Sequence, residues 1–453
     1  MQAKGRSRFV AVLGVILLVA LGVRVAYVLG VAQNDEHFYD AAYYELQART
    51  IVDGHGYVDP FQFLPGAPHR STPAADHPPL TVFALIPAVA IGDGLGLDAE
   101  DTQLMMRFEI MFAGLGAVLL IGLLGRELAG ERAGLVAAGI AAVYPYLWVN
   151  DGLIMSEAFA TAAVAGALLL LLRLLRNRTL TLALGLGVVC GLAALARAEL
   201  LLLAPLLGLP LFVSLKDLAW SKRFAIVGTI AAGTVLLVGP WIAYNFSRFD
   251  DPTLLSTNDG TAMLASNCPS AFFGPSTGLT DLSRCIPVVA PAGDQSVVSR
   301  VYRTRAIDYM KDHKSRTPVV VLARVGRDWG LFRPGDMLDW NQAEGRPSWI
   351  TGLGMVFYYP ILAFAIAGIV GLRRRRTRQW PILMPPLIVT VGALLSYGQT
   401  RFRVPAEPSL VVLAAVAIAA LSLRWWPGRD AAGPDVPVDQ TPASSTIVAS
   451  SSS

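Results

Sequence analysis

The stretch NDEHFYDAAYYELQARTIVDGHGYVDPFQFLPGAPHRSTPAADHPPL, residues 34–80, separates the first hydrophobic segment from the rest of the chain. Its acidic residues Asp35, Glu36 and Asp40 lie close together, and His77 stands in front of two prolines. From Asp40 onward, apolar side chains recur at a helical spacing, which predicts a short amphipathic helix in the membrane interface with its acidic start in water. The apolar positions are Ala41, Tyr44, Ala48, Ile51 and Val52.

The composition excludes an ordinary soluble domain, because 54% of the 453 residues are hydrophobic and only 15% are charged. The first hydrophobic segment, residues 9–31, is long enough to cross a bilayer. It is longer than a signal peptide and lacks a small-residue cleavage site after it, so we expect an uncleaved first span. The sequence contains no cysteine and histidine spacing typical of zinc sites, and no glycine pattern typical of phosphate or dinucleotide binding.

Hydrophobic segments recur along the chain and predict about ten transmembrane helices. The fold class expected is therefore an all-α polytopic membrane protein, with an amphipathic first outer loop and a small extracytoplasmic segment. The predicted spans are residues 9–31, 103–124, 133–149, 156–172, 180–196, 199–215, 224–244, 351–372, 380–397 and 404–423.

Basic residues mark every second junction between these spans, as the positive-inside rule requires. This alternation predicts a multi-pass protein of the plasma (inner) membrane with both termini in the cytoplasm, and it places residues 34–80 on the outer face. The junctions carry Lys4, Arg6 and Arg8; Arg126 and Arg132; Arg173, Arg176 and Arg178; Lys216, Lys222 and Arg223; Arg373, Arg374, Arg375, Arg376 and Arg378; and Arg424 and Arg429.

Four regions follow from this topology. Residues 1–244 form an N-terminal transmembrane core whose outer loop, residues 32–102, is the expected catalytic region. Residues 245–350 form the extracytoplasmic segment, and residues 351–427 form the C-terminal transmembrane helices. Residues 428–453 are rich in Pro, Ser, Ala and Asp without periodicity, so we expect a disordered cytoplasmic tail.

Two cysteines lie in the predicted extracytoplasmic segment, Cys268 and Cys285. Outside the cytoplasm, a pair at this spacing is more often a disulfide than two free thiols. Closing a loop of this size contributes about 3 kcal/mol to the local fold. The third cysteine, Cys190, lies in a predicted span, where a small core residue is expected.

Two further groups of basic residues have open interpretations. Arg401 and Arg403 lie at a junction that should face outward, against the positive-inside rule, which indicates either a bound anion or side chains that reach the interface. Arg324 and Arg327, with Trp329, lie on a predicted amphipathic helix before the eighth span. That helix could cover a binding site in the outer region. The more common arrangement is a basic face exposed to solvent.

Several motifs in a fixed order resemble the GT-C glycosyltransferases, in particular the bacterial relatives of protein O-mannosyltransferases and of the lipid A aminoarabinose transferase. The resemblance covers roughly residues 8–425 and rests on the order of the motifs within the spans. The motifs are Asp40-Ala-Ala-Tyr43-Tyr44-Glu-Leu-Gln-Ala48-Arg49, Gly54-His-Gly56-Tyr57, Ala75-Asp-His77-Pro78-Pro79-Leu80, Tyr144-Pro145-Tyr146 followed by Glu157, Gly191-Leu-Ala-Ala-Leu-Ala-Arg197-Ala-Glu199, Ser256-Thr-Asn258-Asp-Gly260 and Arg401-Phe-Arg403-Val-Pro405.

The resemblance implies transfer of a sugar from a polyprenyl-phosphate donor to a hydroxyl of a lipid, glycan or protein at the outer membrane face. It implies an acidic residue of the first outer loop as the base, since a positioned carboxylate can take the proton of a weakly nucleophilic hydroxyl. The spacing of the family motif selects Asp40, and the pair Asp35 and Glu36 is the rival. Asp40 would also suit the cap of the predicted helix.

The resemblance further implies cationic ligands for the donor phosphate, whose charge grows as the sugar leaves. Arg401 and Arg403 are the leading candidates, with His77 at a position where some relatives carry lysine. Arg107 is a weaker candidate, because arginines at span ends often only reach for the interface. Glu157 and Glu199, near span ends, are expected to pair with Arg107 or Arg197 rather than act chemically.

No cofactor, metal site or nucleic acid partner is predicted. Asp35, Glu36 and Asp40 could supply oxygen ligands to a divalent cation, but nothing in their spacing indicates one. A multi-pass transporter or lipid-linked-sugar flippase is the alternative function. Spans that are nearly free of charge at their centres, and the lack of an internal repeat in the sequence, favour the enzyme.

Overall fold

The structure is a computed structural model that describes residues 2–34, 40–66 and 72–425. These residues are largely helical, and the only β-pairing among them is an isolated bridge between Val58 and Pro73. Asp35 and Glu36 lie outside the described residues, as does the predicted disordered tail at 428–453.

Ten α-helices precede the long segment that connects the two groups of spans. Short 3₁₀ helices, Ala32–Asn34, Pro60–Phe63, Asn150–Gly152 and Ala198–Leu202, lie between them. The α-helices are α1 (Gln2–Gly30), α2 (Asp40–Val52), α3 (Leu80–Leu95), α4 (Ala99–Ala129), α5 (Glu131–Val143), α6 (Pro145–Trp148), α7 (Glu157–Asn177), α8 (Leu180–Ala196), α9 (Leu203–Ser214) and α10 (Trp220–Phe246).

Nine α-helices follow. Six lie in the connecting segment between α10 and the last group of spans: α11 (Asn258–Ser266), α12 (Pro269–Phe272), α13 (Leu282–Cys285), α14 (Gln295–Asp312), α15 (Thr317–Asp328) and α16 (Asp336–Gln342). The last three are α17 (Ser348–Arg374), α18 (Trp380–Leu395) and α19 (Glu407–Trp425), and the 3₁₀ helix Thr400–Ala406 leads into α19.

Six of the described helices are long and apolar enough to cross a membrane, and a seventh span results if α5 and the bent continuation Pro145–Gly152 are counted together. The predicted spans at 180–196, 199–215 and 380–397 appear as shorter apolar helices. A further apolar helix, α3, was not expected from the sequence. The chain is therefore a multi-pass helical membrane protein.

Glycines allow pairs of helices to pack with their backbones in close contact. A Cβ atom on Gly187 of α8 would lie 2.2 Å from the carbonyl oxygen of Ile230 in α10. One on Gly368 of α17 would lie 2.0 Å from the carbonyl oxygen of Leu413 in α19. Because lipid is as apolar as the side chains, membrane helices associate through such close contacts rather than through the hydrophobic effect.

A buried ion pair attaches α1 to the bend after α5. Arg24 Nε donates to Asp151 Oδ2 at 2.7 Å, and its Nη1 donates to the carbonyl oxygen of Ala142 at 3.2 Å. Gly114 of α4 makes room for the carboxylate, because a Cβ there would lie 2.0 Å from it. A charge within a span needs such a partner, and this one fixes the first helix against the core.

The helix predicted to begin at Asp40 is confirmed as α2, but its surroundings differ from the expectation. Tyr43, Tyr44 and Ala48 are buried, at 1%, 3% and 0% exposure. They pack in one apolar cluster with Val82 and Leu85 of α3, the helix that the sequence analysis did not count. Since α3 supplies an apolar partner, α2 is part of the packed core rather than a helix half immersed in water.

The connecting segment is tied together by arginines that are buried, contrary to the expected solvated basic face. Arg324 and Arg327 of α15 are 1% and 0% exposed. Arg324 Nη2 donates to the carbonyl oxygen of Ser266 at 2.8 Å, and Arg327 Nε donates to that of Thr277 at 2.7 Å. Their guanidinium groups satisfy loop carbonyls that would otherwise be buried without partners, which explains why they face inward.

A disulfide joins Cys268 and Cys285 with their Cα atoms 5.9 Å apart. We expect that alkylation of the denatured chain without reductant modifies Cys190 alone, because the other two sulfurs are bonded to each other. Cys268→Ser should lower the thermal unfolding temperature, since the closed loop is worth about 3 kcal/mol. The reduced wild type is the matched control and should unfold at the same temperature as the variant. Alkylation of all three cysteines without reductant would contradict the pairing.

Candidate active site

Two cavities of about 340 and 350 Å³, here called the first and second chambers, lie side by side in the region where α2, the start of α11 and the turn before α19 meet. The start of α7 and the junction of α8 with α9 complete the first chamber. Parts of the connecting segment around α13 and α16 complete the second. Six residues line both chambers and form the shared wall: Asp40, His77, Asn258, Ala262, Tyr397 and Arg401.

Asp40 is held in the shared wall by two cationic neighbours. Its Oδ2 accepts a hydrogen bond from Arg401 Nη2 at 2.8 Å, and its Oδ1 lies 3.4 Å from His77 Nε2. Burial alone would raise the pKa of Asp40, but the charges and hydrogen bonds of Arg401 and His77 outweigh it and hold the pKa well below its usual range. The carboxylate is therefore ionised at neutral pH.

His77 is fixed between aromatic rings and carboxylates. Its ring centroid lies 5.2 Å from that of Tyr43 and 5.1 Å from that of Tyr44. Burial would lower the pKa of His77, but Asp40 and, at 3.9 Å, Asp76 outweigh it and raise the pKa above its usual value. The site thus favours a protonated imidazole at His77.

Arg401 connects Asp40 to a longer chain of alternating charges. Its Nη1 lies 3.4 Å from Glu344 Oε2, which is also 3.1 Å from Arg346 Nη1. Arg346 Nη2 donates to Glu157 Oε1 at 3.2 Å. Arg197 continues the chain, since its Nη1 lies 3.5 Å from Glu157 Oε1 and its Nε donates to Glu199 at 2.6 Å. We call this series, from Glu199 to Asp40, the ion chain.

Arg346, which was not among the residues predicted from the sequence, contacts one acidic lining residue of each chamber, Glu157 of the first and Glu344 of the second. Its side chain is 3% exposed, and it reaches Asn150 Oδ1 at 3.0 Å and Met155 Sδ at 3.3 Å as well as Glu157. The available signal was the pair of charges, Glu344 and Arg346, immediately before a predicted span. Through these contacts the connecting segment is anchored to the transmembrane core.

The structure brings together only some of the predicted phosphate ligands. Asp40, His77 and Arg401 meet in the shared wall, whereas Arg403 and Arg107 are not among the described side chains that line either chamber. Arg403 is 1% exposed, donates from Nε to Glu407 at 2.8 Å, and lies 3.6 Å from the centroid of the Tyr358 ring.

The other predicted partners also have definite places. Arg107 Nη1 donates to the carbonyl oxygen of Gly152 at 2.6 Å. Glu157 and Glu199 form ion pairs with Arg197, as expected. Asp35 and Glu36 lie outside the described residues, so the rival base remains a prediction.

A narrow apolar cavity of about 110 Å³ adjoins the first chamber. It shares Glu199, Ser396, Tyr397 and Phe402 with the first chamber and continues along α18. Its remaining lining residues are Ile388, Val389, Gly392 and Ala393. The first chamber therefore combines charged groups with an apolar extension, an arrangement suited to a ligand with a polar head and a hydrocarbon tail.

The described residues hold no group of three or more His, Cys, Asp or Glu side chains that could bind a metal ion. The polar groups of the shared wall include one ionised carboxylate flanked by a guanidinium and an imidazole. Such a set can take a proton from a hydroxyl and neutralise a phosphate.

Comparison with known proteins supports the resemblance predicted from the sequence. Residues 76–244 match the family model described as dolichyl-phosphate-mannose-protein mannosyltransferase. Comparison with curated protein sequences gives no match.

Among solved structures, an oligosaccharyltransferase from Archaeoglobus fulgidus, tethered to an acceptor peptide, superposes with a TM-score of 0.52 at 17% identity over 92% of this chain. Its apo form gives a TM-score of 0.52 at 16% identity over 92% of this chain and 51% of its own. The chain thus spans about half the length of the archaeal enzyme, 50% for the tethered form. ArnT from Cupriavidus metallidurans, bound to undecaprenyl phosphate, gives a TM-score of 0.39 at 11% identity over 93% of this chain and 79% of its own.

The similarity to the archaeal enzyme shows the fold, and the family model supplies a sequence match over the first group of spans. Both agree with the motifs that suggested the resemblance. The chain therefore resembles the GT-C glycosyltransferases, in sequence over residues 76–244 and in the fold of its described helices.

Proposed function

We propose that the chain transfers a sugar from a polyprenyl-phosphate donor to an acceptor hydroxyl, with Asp40 as the general base. The observation that supports this most is the meeting of Asp40, Arg401 and His77 in a wall shared by two chambers. A transferase needs its base between donor and acceptor, with cations on the side of the leaving phosphate. The family description, dolichyl-phosphate-mannose-protein mannosyltransferase, agrees with a lipid-phosphate donor.

In this proposal the donor lies in the first chamber. Arg401 and His77 contact its phosphate from the shared wall, and Arg197 faces the same space. The start of the polyprenyl chain lies in the apolar cavity along α18, where hydrocarbon is shielded from water. Arg403, held by Glu407, supports the turn that carries Arg401 rather than binding phosphate itself.

The proposed reaction has balanced charges. The acceptor hydroxyl in the second chamber attacks the anomeric carbon, its proton passes to Asp40, and the bond between that carbon and the phosphate oxygen breaks. The released lipid phosphate keeps the electron pair, and Arg401 with protonated His77 stabilises its charge. Since Asp40 and the phosphate share Arg401, binding of the donor weakens the pairing that depresses the basicity of Asp40.

We also propose the orientation that the arginine and lysine pattern predicts. The two chambers face the outer side of the plasma (inner) membrane, and both termini lie in the cytoplasm. The connecting segment between α10 and α17 is then extracytoplasmic, where its disulfide is stable.

The proposed function is tested with the purified full-length chain in nanodiscs and a panel of undecaprenyl-phosphate and dolichyl-phosphate monosaccharides. Water serves as the acceptor when no other hydroxyl is supplied. We expect at least one donor to release free lipid phosphate, measured by mass spectrometry, and Asp40→Asn to suppress that release. A protein that moves labelled donors between leaflets but never cleaves them would be a flippase, and the proposal would be wrong.

A further inference from the structure

Aromatic side chains form several walls of the second chamber. They come from distant parts of the chain: Tyr43 from α2, Phe61 from the 3₁₀ helix after it, Trp340 from α16 and Tyr397 from the turn after α18. Phe61 remains 39% exposed, although its ring centroid is only 6.3 Å from that of Tyr43. The exposed ring of Phe61 and the half-buried rings of Trp340 and Tyr397 provide flat apolar surfaces for a ligand, here beside polar groups.

Trp340 is held in a fixed position relative to the proposed base. Its neighbour Asn341 is 1% exposed and donates from Nδ2 to Thr400 Oγ1 at 3.2 Å. Thr400 directly precedes Arg401, which binds Asp40. A ligand that stacks on Trp340 is therefore positioned against the catalytic carboxylate, because α16 and the turn of Arg401 are joined by this hydrogen bond.

The polar groups of this chamber are mainly hydrogen-bond acceptors and hydroxyls. Asp76, Asp281 and Glu344 line it, together with Thr280 and Ser283. Asp76 lines the second chamber but not the first, and its side chain is 35% exposed. A carboxylate has about four lone-pair positions and donates no hydrogen bond when ionised, so it suits a ligand rich in hydroxyl donors.

The charge balance disfavours an anionic acceptor. Arg401 and His77 are the cationic residues among the described side chains that line the second chamber, and the proposed function assigns both to the donor phosphate. Three further carboxylates, Asp76, Asp281 and Glu344, face the same space. A phosphorylated acceptor group would meet like charge on most sides, which disfavours its binding.

One common mode of peptide binding has no counterpart among the described residues of this chamber. Extended peptides commonly bind along the edge of a β-sheet, whose backbone groups pair with theirs. Within the described residues there is no sheet, only the bridge between Val58 and Pro73. The chamber instead offers side-chain carboxylates, hydroxyls and ring faces within about 350 Å³.

We propose that the second chamber binds a saccharide, so that the acceptor hydroxyl belongs to an uncharged sugar residue of a glycan. Trp340 supplies a stacking surface for the ring, and Asp76 and Asp281 accept hydrogen bonds from its hydroxyls. This identity of the acceptor rests on the proposed function, but the binding of the sugar does not require the donor.

The test measures binding by saturation-transfer difference NMR with the full-length chain in nanodiscs. The probes are the methyl glycosides of mannose, glucose, galactose and arabinose, and a nine-residue peptide that contains serine and threonine. We expect at least one glycoside to bind, and Trp340→Ala to weaken its affinity at least tenfold, a loss in the range of interface anchors truncated to alanine. Trp340→Phe should restore most of the affinity, and Asp76→Asn should weaken it.

Trp349→Ala is the matched control, since Trp349 is 58% exposed at the start of α17 and is not among the residues lining the chamber. Each variant is checked for an unchanged elution volume and unfolding temperature.

Binding of the peptide alone would assign the chamber to a protein acceptor and overturn the proposal. Absence of any binding, or glycoside binding unaffected by both Trp340→Ala and Asp76→Asn, would also overturn it. Release of lipid phosphate from a donor is measured separately, so failure here leaves the transferase proposal standing.

Discussion

Asp40→Asn is expected to lower turnover at least about 100-fold while the protein still folds and inserts, because the change removes the base but preserves the size of the side chain. General-base contributions are typically about 10²- to 10⁴-fold. The donor KM should not rise, since Arg401 is released from its 2.8 Å contact with Asp40 and becomes more available to the phosphate. Initial rates of lipid-phosphate release at varied donor concentration give both constants.

The control for this substitution is Asp308→Asn on α14, where the carboxylate is 58% exposed and pairs with Lys311. It should leave turnover unchanged. Asp35→Asn and Glu36→Gln, made separately, test the rival base. If Asp40→Asn keeps near-normal turnover and Asp35→Asn abolishes it, the motif was aligned in the wrong register and the acidic pair carries the chemistry.

The pH dependence of wild-type activity provides a second test of the role proposed for Asp40. Because the pKa of Asp40 is held below its usual range in the folded protein, its ion pairs contribute stability above the unfolded value of about 4 and lose it as the pH falls further. The kcat/KM of the free enzyme should therefore not fall through protonation of Asp40 between about pH 5 and pH 7. This interval lies above the pKa of Asp40 in both the folded and the unfolded protein.

Arg401→Ala is the second change with a large expected effect. It removes a proposed phosphate ligand and leaves Asp40 and Glu344 without their shared partner. Truncating one member of a buried charge pair typically costs about 2–5 kcal/mol in binding, so we expect the use of donor, as kcat/KM, to fall by about 100-fold or more. Arg401→Lys should recover only part of this, because an ammonium cannot reach both carboxylates with a fixed fork.

The matched control is Arg374→Ala in the basic run at the end of α17, where the side chain is exposed. Its neighbours keep the charge that orients the span, so turnover should remain near that of the wild type. Thermal unfolding of both variants is measured beside the kinetics. Equal losses of activity in Arg401→Ala and Arg374→Ala would indicate a defect in folding or insertion, and the phosphate role of Arg401 would lose its support.

Local sequence patterns predicted where the helices lie better than they predicted which helices pack against each other. The helical spacing after Asp40 correctly placed the start of α2, and the hydrophobic segments placed the long spans. The packing of α2 was not predicted, because it depends on α3, whose 16 residues are too few for a span by the length rule. Burial on both sides of α2 is a property of its neighbours rather than of its own sequence.

The surroundings of the two arginines in the predicted anion site could not be predicted from the local sequence either. Arg401 and Arg403 look equivalent in the sequence, but they lie in the 3₁₀ helix Thr400–Ala406. With three residues per turn, side chains two residues apart point about 120° away from each other, so Arg401 and Arg403 face different surroundings. The pairing of Asp40 with Arg401 joins residues 361 positions apart, and only the family resemblance brought both into one site.

The anchoring of Arg346 has a consequence for how the protein is made. Glu157 is synthesised 189 residues before Arg346, which donates a hydrogen bond to its carboxylate. During synthesis this acid therefore lacks its second arginine partner. Domains generally form in the order of synthesis, but here Arg346 of the connecting segment completes a contact with the much earlier Glu157. A polypeptide that stops before Arg346 and Arg401 therefore lacks a member of the ion chain and a lining residue of both chambers.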